Sequence, residues 1–257
     1  MAWHPFPYKN AAYVYTPERL QQHWARLHLG DVEEFPEDPA LVRAWIAFHA
    51  GHFEAAAEQG LALGPAGYAV AHKASCIYAT YLETDDARKL AIFEAVAARC
   101  ERHQAERPDD PAGFFWHAYA LGRYAQQYSV VKALAQGLGG KVADSLARTL
   151  KLAPEHADAH VALGVFHCEI IDKVGAVIGG ITYGVRREEG FKHFRTALTL
   201  NHESAIARIE FAKALILLEG DKKMAESLGL LEDAAGLTPL DAREHLDVQL
   251  ASTELPE

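Results

Sequence analysis

Four times along this chain a helical segment runs into an apolar residue, a proline or a stand-in for proline follows, and a new segment begins shortly after. The anchors are Pro108, Pro154, His202 and Pro239, at intervals of 46, 48 and 37 residues. A period in this range marks a unit made of paired helices, which cannot bury its apolar face alone and must stack on its neighbours. Helical periodicity runs nearly from end to end and breaks at Thr16-Pro17-Glu18, Glu37-Asp38-Pro39, Leu63-Gly64-Pro65, Pro108-Asp109-Asp110-Pro111, Ala153-Pro154-Glu155-His156 and Leu237-Thr238-Pro239. The chain therefore reads as all-α.

The breaks carry helix-start chemistry. Thr16 is an N-cap with Pro17 at the first helical position, and Leu20, Trp24 and Leu27 follow at i, i+4 and i+7, predicting a helix over residues 17–29. Asp38 and Pro39 repeat the signal before two helices, 41–50 and 53–63, split by Ala50-Gly51-His52. Further helices are expected over 66–82, 86–106, 204–219 and 222–237, with a capping helix over 240–252.

Position by position, the units resemble the tetratricopeptide repeat, whose period is about 34 residues. With Pro154 closing one repeat, Leu163-Gly164 falls on the family's Leu-Gly pair, Gly190 on the small packing position, Phe194 on the aromatic, Ala197 on the late alanine and His202 on the proline. Upstream, Phe114 and Ala118 take the tryptophan and small positions, and Val142, Leu146 and Thr149 fit the second helix; Gly51, Phe53 and Ala56 mark an earlier unit. The surplus residues form glycine-rich inserts at about 126–140 and 172–186, between the two helices of their units. Expanded branches of the family, among them the T components of bacterial solute transporters and the regulator-of-microtubule-dynamics proteins, are similar in carrying such inserts. The resemblance implies one domain over residues 1–257: a right-handed superhelical solenoid of about five hairpins, with an N-terminal tail and helix (1–38), degenerate repeats (39–239) and a capping helix and tail (240–257).

Charge narrows the partners. A formal net charge of -10 and a pI near 5.8 provide no basic field for a phosphate backbone, so nucleic acid is not expected. The opening residues have no basic-then-apolar leader, and no run approaches the roughly 18 apolar residues needed to span a bilayer. The expectation is a cytoplasmic protein without membrane insertion. Cys76, Cys100 and Cys168 are widely spaced and read as small buried hydrophobes.

Candidate chemistry is sparse. His156, His160 and His167 share one helical face and could hold zinc. The repeat register instead places His160 and His167 on positions that pack against the partner helix, so no metal and no cofactor is expected. Gly137-Leu-Gly-Gly-Lys141 lacks the spacing of a phosphate loop and reads as a helix start after a flexible insert. With no nucleophile motif and no paired-carboxylate spacing, no catalytic residue is assigned and the chain does not read as an enzyme.

The resemblance implies that the first helices line a concave groove. In unit three this places Phe115, Tyr119 and Arg123 on the wall, with Trp116 beside them; in unit four, Asp158, Val161, Val165, Cys168 and Glu169; in unit five, Ile206, Ile209, Lys213 and Ile216. The family's lysine and asparagine clamp for a peptide carboxylate is not repeated here. An apolar wall of this kind must be covered. The expected function is an adaptor receiving a protein or peptide segment in the groove; the alternative is a carrier for a small hydrophobic ligand inside the superhelix. Residues 174–185, with no charge and four glycines, are expected to be too glycine-rich for a helix and to be buried, either folding back, extended or as a hairpin, as a lid over the groove, or packing on the adjacent hairpin or in an oligomer contact; the aromatic tail (Trp3, Phe6, Tyr8) is a competing cover.

Overall fold

The computed structural model describes residues 3–128 and 130–256, and among them the chain is helical with no strand. The α-helices are α1 (Pro17–Leu27), α2 (Pro39–His49), α3 (Phe53–Ala62), α4 (Tyr68–Tyr81), α5 (Asp86–Glu106), α6 (Pro111–Tyr128), α7 (Val130–Ala135), α8 (Leu138–Leu152), α9 (Ala157–Val174), α10 (Ala176–Tyr183), α11 (Arg187–Leu200), α12 (Ala205–Glu219), α13 (Met224–Ala235) and α14 (Ala242–Glu254). They begin where the sequence supplies caps. Thr16 accepts from the Arg19 N–H ahead of Pro17, Asp38 from Ala40, Asp85 from Arg88 and Ser204 from Ala207, each satisfying an amide that the first helical turn leaves without an intrahelical partner. His156 plays the same part for α9: its Nδ1 accepts from the Ala159 N–H at 3.1 Å. Its extended backbone takes it off the helical face on which the sequence pattern groups it with His160 and His167.

The described residues form two compact units. The first comprises Met1–His28, Val32–Pro154 and Leu240–Arg243. In it the hairpins α2/α3, α4/α5 and α6/α8 follow one another, α3 packing on α4 and α5 on α6, while the first helices α4 and α6 also touch. Trp45, Phe48, Tyr78 and Phe93 are among its largest fully buried side chains. A buried polar chain runs among them: Asp241 Oδ2 lies 2.7 Å from His49 Nδ1, and His49 Nε2 lies 3.3 Å from His28 Nε2. Buried ring nitrogens that find such partners avoid the cost of lost hydration.

The second unit comprises Leu29–Asp31, Glu155–Pro239 and Glu244–Glu257. Here α9 pairs with α11 and α12 with α13, and α9 packs against α12. One cluster gathers Val161, Cys168, Phe191, Phe194, Phe211 and Leu215; a second joins Ile206, Ile209, Leu231, Val248 and Ala251 from α12, α13 and α14. The repeat signature explains the first. A Cβ on Gly164 would stand 2.7 Å from the Phe194 ring, and one on Gly190 would stand 3.0 Å from His167 Cβ and 3.1 Å from Cys168 Sγ. Glycine at these two points lets α9 and α11 approach closely, and Phe194 then stacks on Phe211 of α12 at 5.2 Å.

The extended or hairpin form expected at residues 174–185, and the burial expected of the whole segment, are overturned. The segment contains α10, bounded by Gly175 (φ 83°) and Gly184 (φ 69°). A Cβ on Gly179 would stand 2.8 Å from Val185 Cγ2 and 3.1 Å from Ile170 Cγ2, so this glycine permits contact with α9 instead of loosening the chain. The other insert likewise contains a short helix, α7, before α8 starts after Gly137. The aromatic tail is also engaged. Trp3 stacks on Tyr78 at 4.1 Å, and Phe6 fills the space over Gly51, whose φ is 84°.

Gly164→Ala tests the close approach cleanly, because alanine is intrinsically the better helix former by about 1 kcal/mol. The expected result in urea unfolding is nevertheless a net loss of about 1–3 kcal/mol from overpacking. Phe194→Ala should cost about 3–5 kcal/mol. An unchanged or raised midpoint for Gly164→Ala would remove the Phe194 ring from that position.

Candidate partner-binding surface

The groove residues implied by the repeat register fall largely into packing roles. In the first unit Phe115 and Trp116 are buried, their rings 4.9 Å apart, with Tyr119 a further 5.3 Å from Trp116. Tyr119 is half-buried on α6, and its hydroxyl meets Thr80 Oγ1 of α4 at 2.9 Å, so it ties neighbouring first helices together. Burial pushes its phenol above the ordinary value. The half-buried Arg123 covers its ring at 5.3 Å and donates to Gln126 Oε1.

In the second unit Val161, Cys168 and Ile209 are buried, and Val165 packs against the cluster that holds the first two. Ile216 is half-buried; Lys213 is exposed with Nζ 2.9 Å from Glu254 Oε1. Burial raises the Cys168 thiol to about 12, leaving no thiolate at neutral pH. Within each unit the structure thus brings the apolar members together against an adjacent helix and leaves chiefly Tyr119, Arg123, Val165, Lys213 and Ile216 with accessible surface.

The most exposed apolar surface of the second unit lies on α10. Val177, Ile178 and Ile181 are 75%, 60% and 84% exposed, on the side away from Gly179. At about 100° per residue, Val177 and Ile181 point nearly opposite Gly179, and Ile178 flanks them. The uncharged run over 174–185 signals this patch; its composition predicts burial and no helix, whereas the helix forms and leaves these three side chains exposed.

Two constellations have the look of reactive sites. His117 Nδ1 contacts Ser145 Oγ at 2.8 Å, and Glu101 Oε1 lies 3.7 Å from His117 Nε2, beyond hydrogen-bond reach. Ser145 and His117 are buried between α6 and α8, so the serine hydroxyl serves packing and has no approach for an acyl substrate. Gly137 takes φ 77° at the start of α8, and Lys141 pairs with Glu101 at 3.3 Å. The His117–Ser145 and Lys141–Glu101 contacts are not visible in sequence spacing, since each joins different helices.

No family model and no curated protein matches the chain by sequence. In structure it is similar to the crystal structure of a thermophilic TPR protein from Thermus thermophilus, with a TM-score of 0.58 and 15% identity, over 83% of this chain and 97% of that one. The chain has the fold of a TPR-like helical repeat. Among the described residues no helix is long and apolar enough to cross a membrane.

Packing of this kind predicts a pH dependence of stability. Burial lowers His72, His117, His167 and His245 below their ordinary value, and burial with neighbouring His160 lowers His193 to about 4. The native state therefore binds fewer protons than the unfolded chain near the ordinary histidine value. The stability these groups contribute is present above pH 6.5 and is lost as pH falls through their folded values, toward about 4 for His193. Thermal unfolding should show a flat midpoint above about pH 7 and a steady fall between about pH 6.5 and 4. A midpoint that rose on acidification would contradict the neutral, packed state of these rings.

Proposed function

We propose that this protein is a non-enzymatic interaction scaffold whose second unit binds a protein segment through the exposed apolar face of α10. The observation that carries this reading is the exposure of Val177, Ile178 and Ile181 on a helix without a charged residue. Large contiguous exposed apolar surface is costly in water and marks interaction sites. The TPR-like fold supports a protein partner, and the accessible groove positions Val165, Lys213 and Ile216 in the same unit offer it further contacts. Tyr119 and Arg123 are the corresponding positions of the first unit.

A second reading, a carrier for a small apolar ligand, is favoured by an open cavity of about 570 Å³ in the first unit. Trp3, Phe6, Tyr8 and Phe53 line it, and its size suits a drug-sized molecule.

The triple variant Val177→Ser, Ile178→Ser, Ile181→Ser separates the two. These side chains are exposed, so helical content should be retained, while proteins crosslinked to the parent in its native extract should be recovered at least tenfold less by the variant. A recovered set that is unchanged would remove α10 as the contact surface. Quenching of Trp3 fluorescence by an apolar ligand, equal in parent and variant, would favour the carrier.

A further inference from the structure

Helices α9 and α11 carry a histidine cluster that the scaffold reading does not use. His160 on α9 and His193 on α11 approach with their Nδ1 atoms 2.8 Å apart and their ring centroids 5.1 Å apart. His167, farther along α9, has its ring 5.8 Å from His193. All three rings are half-buried, so solvent ions can reach them. From the repeat register His160 reads as a packing residue, and its partner His193 lies 33 positions away on the other helix.

A contact this short between two ring nitrogens requires one to donate and the other to accept. The contact brings the two Nδ1 atoms together between two helices of a single hairpin. We propose that His160 and His193 form a seat for a borderline divalent transition-metal ion, zinc being the probe, which takes the place of the bridging proton and links α9 to α11. The ring that donates moves its proton from Nδ1 to Nε2, so two neutral imidazoles coordinate and no proton is released. With bonds of about 2.0–2.1 Å and tetrahedral angles, the nitrogens stand about 3.4 Å apart, an opening of roughly half an ångström that two half-exposed side chains accommodate. Neutral imidazole suits zinc, nickel and copper.

The neighbouring groups define the rest of the seat. Glu189 stands one turn before His193 on α11, and at i, i+4 the two side chains share one helical face. It is loosely paired with Lys192, Nζ to Oε2 at 3.5 Å, and supplies the third ligand by turning away from that lysine. His167 is not a ligand. Its Nδ1 accepts the Arg186 N–H at 2.8 Å, which fixes the ring beside the pair. Among the described residues no three such side chains are already gathered round one point. The ion itself draws Glu189 in, water completes the shell, and the seat is an open one and not a closed structural centre.

The test is calorimetric titration of zinc chloride into the chelator-stripped full chain at neutral pH. The expected result is saturable binding of one ion per chain, weakened at least tenfold by His160→Asn and by His193→Asn and severalfold by Glu189→Gln. His202→Asn, at a ring 75% exposed elsewhere, should leave affinity unchanged. Zinc should raise the melting temperature of the parent and not of the two histidine variants, since an ion bound to the native state alone stabilises it by mass action. Ring ¹⁵N spectra of the unaltered chain provide a readout that needs no variant: zinc should shift the Nδ1 resonances of two histidines. Equal affinity in parent, His160→Asn and His193→Asn, or no zinc-dependent shift at those two rings, would overturn the site.

Discussion

The contact on which the second unit depends is the ring of Phe194 lying where Gly164 has no side chain. A helix pair in a repeat has to bring two helical axes close enough to exclude water, and a Cβ 2.7 Å from that ring would hold them apart. Once seated, Phe194 is fully buried and stacks on Phe211, so the same side chain closes its own hairpin and docks the next one. Gly190 repeats the device against His167 and Cys168. The sequence positions that define the repeat are therefore those at which one atom too many would separate the helices.

Close packing of this kind also decides what remains for binding. Phe115, Trp116, Val161, Cys168 and Ile209 are large or apolar enough to line a groove, but each is buried against the neighbouring helix. Apolar side chains gain more from contact with another helix than from facing water. What stays exposed is then set by the inserts, which lie outside the repeat geometry. In α10, Gly179 lets one side press on Ile170 and Val185, and Val177 and Ile181 are left on the other.

Histidine is the second recurring element, and it serves three physical roles. His156 caps a helix through its ring nitrogen, His49 links Asp241 to His28 inside the first unit, and His160 meets His193 across a hairpin. Each role requires a particular protonation pattern, and most of the rings with lowered values owe the shift first to burial. Burial that lowers His72, His117, His167, His193 and His245 thus couples packing to acidity.

By itself the sequence determined the helical class, the caps at Thr16 and Asp38, and the signature of Gly164, Gly190 and Phe194. These are local or fixed-period features, governed by backbone hydrogen-bonding and the spacing of helical faces. Tertiary structure decided the rest. Glycines at 175, 179, 180 and 184 read as helix-breaking in isolation, yet two of them bound α10 and Gly179 is required by Val185 and Ile170 packing against it. The partners of His117, His160 and His49 lie 28, 33 and 192 positions away, and no spacing along one helix encodes them. Whether an apolar residue faces a neighbour or the solvent depends on which helix lies beside it, and that is fixed only when the hairpins stack.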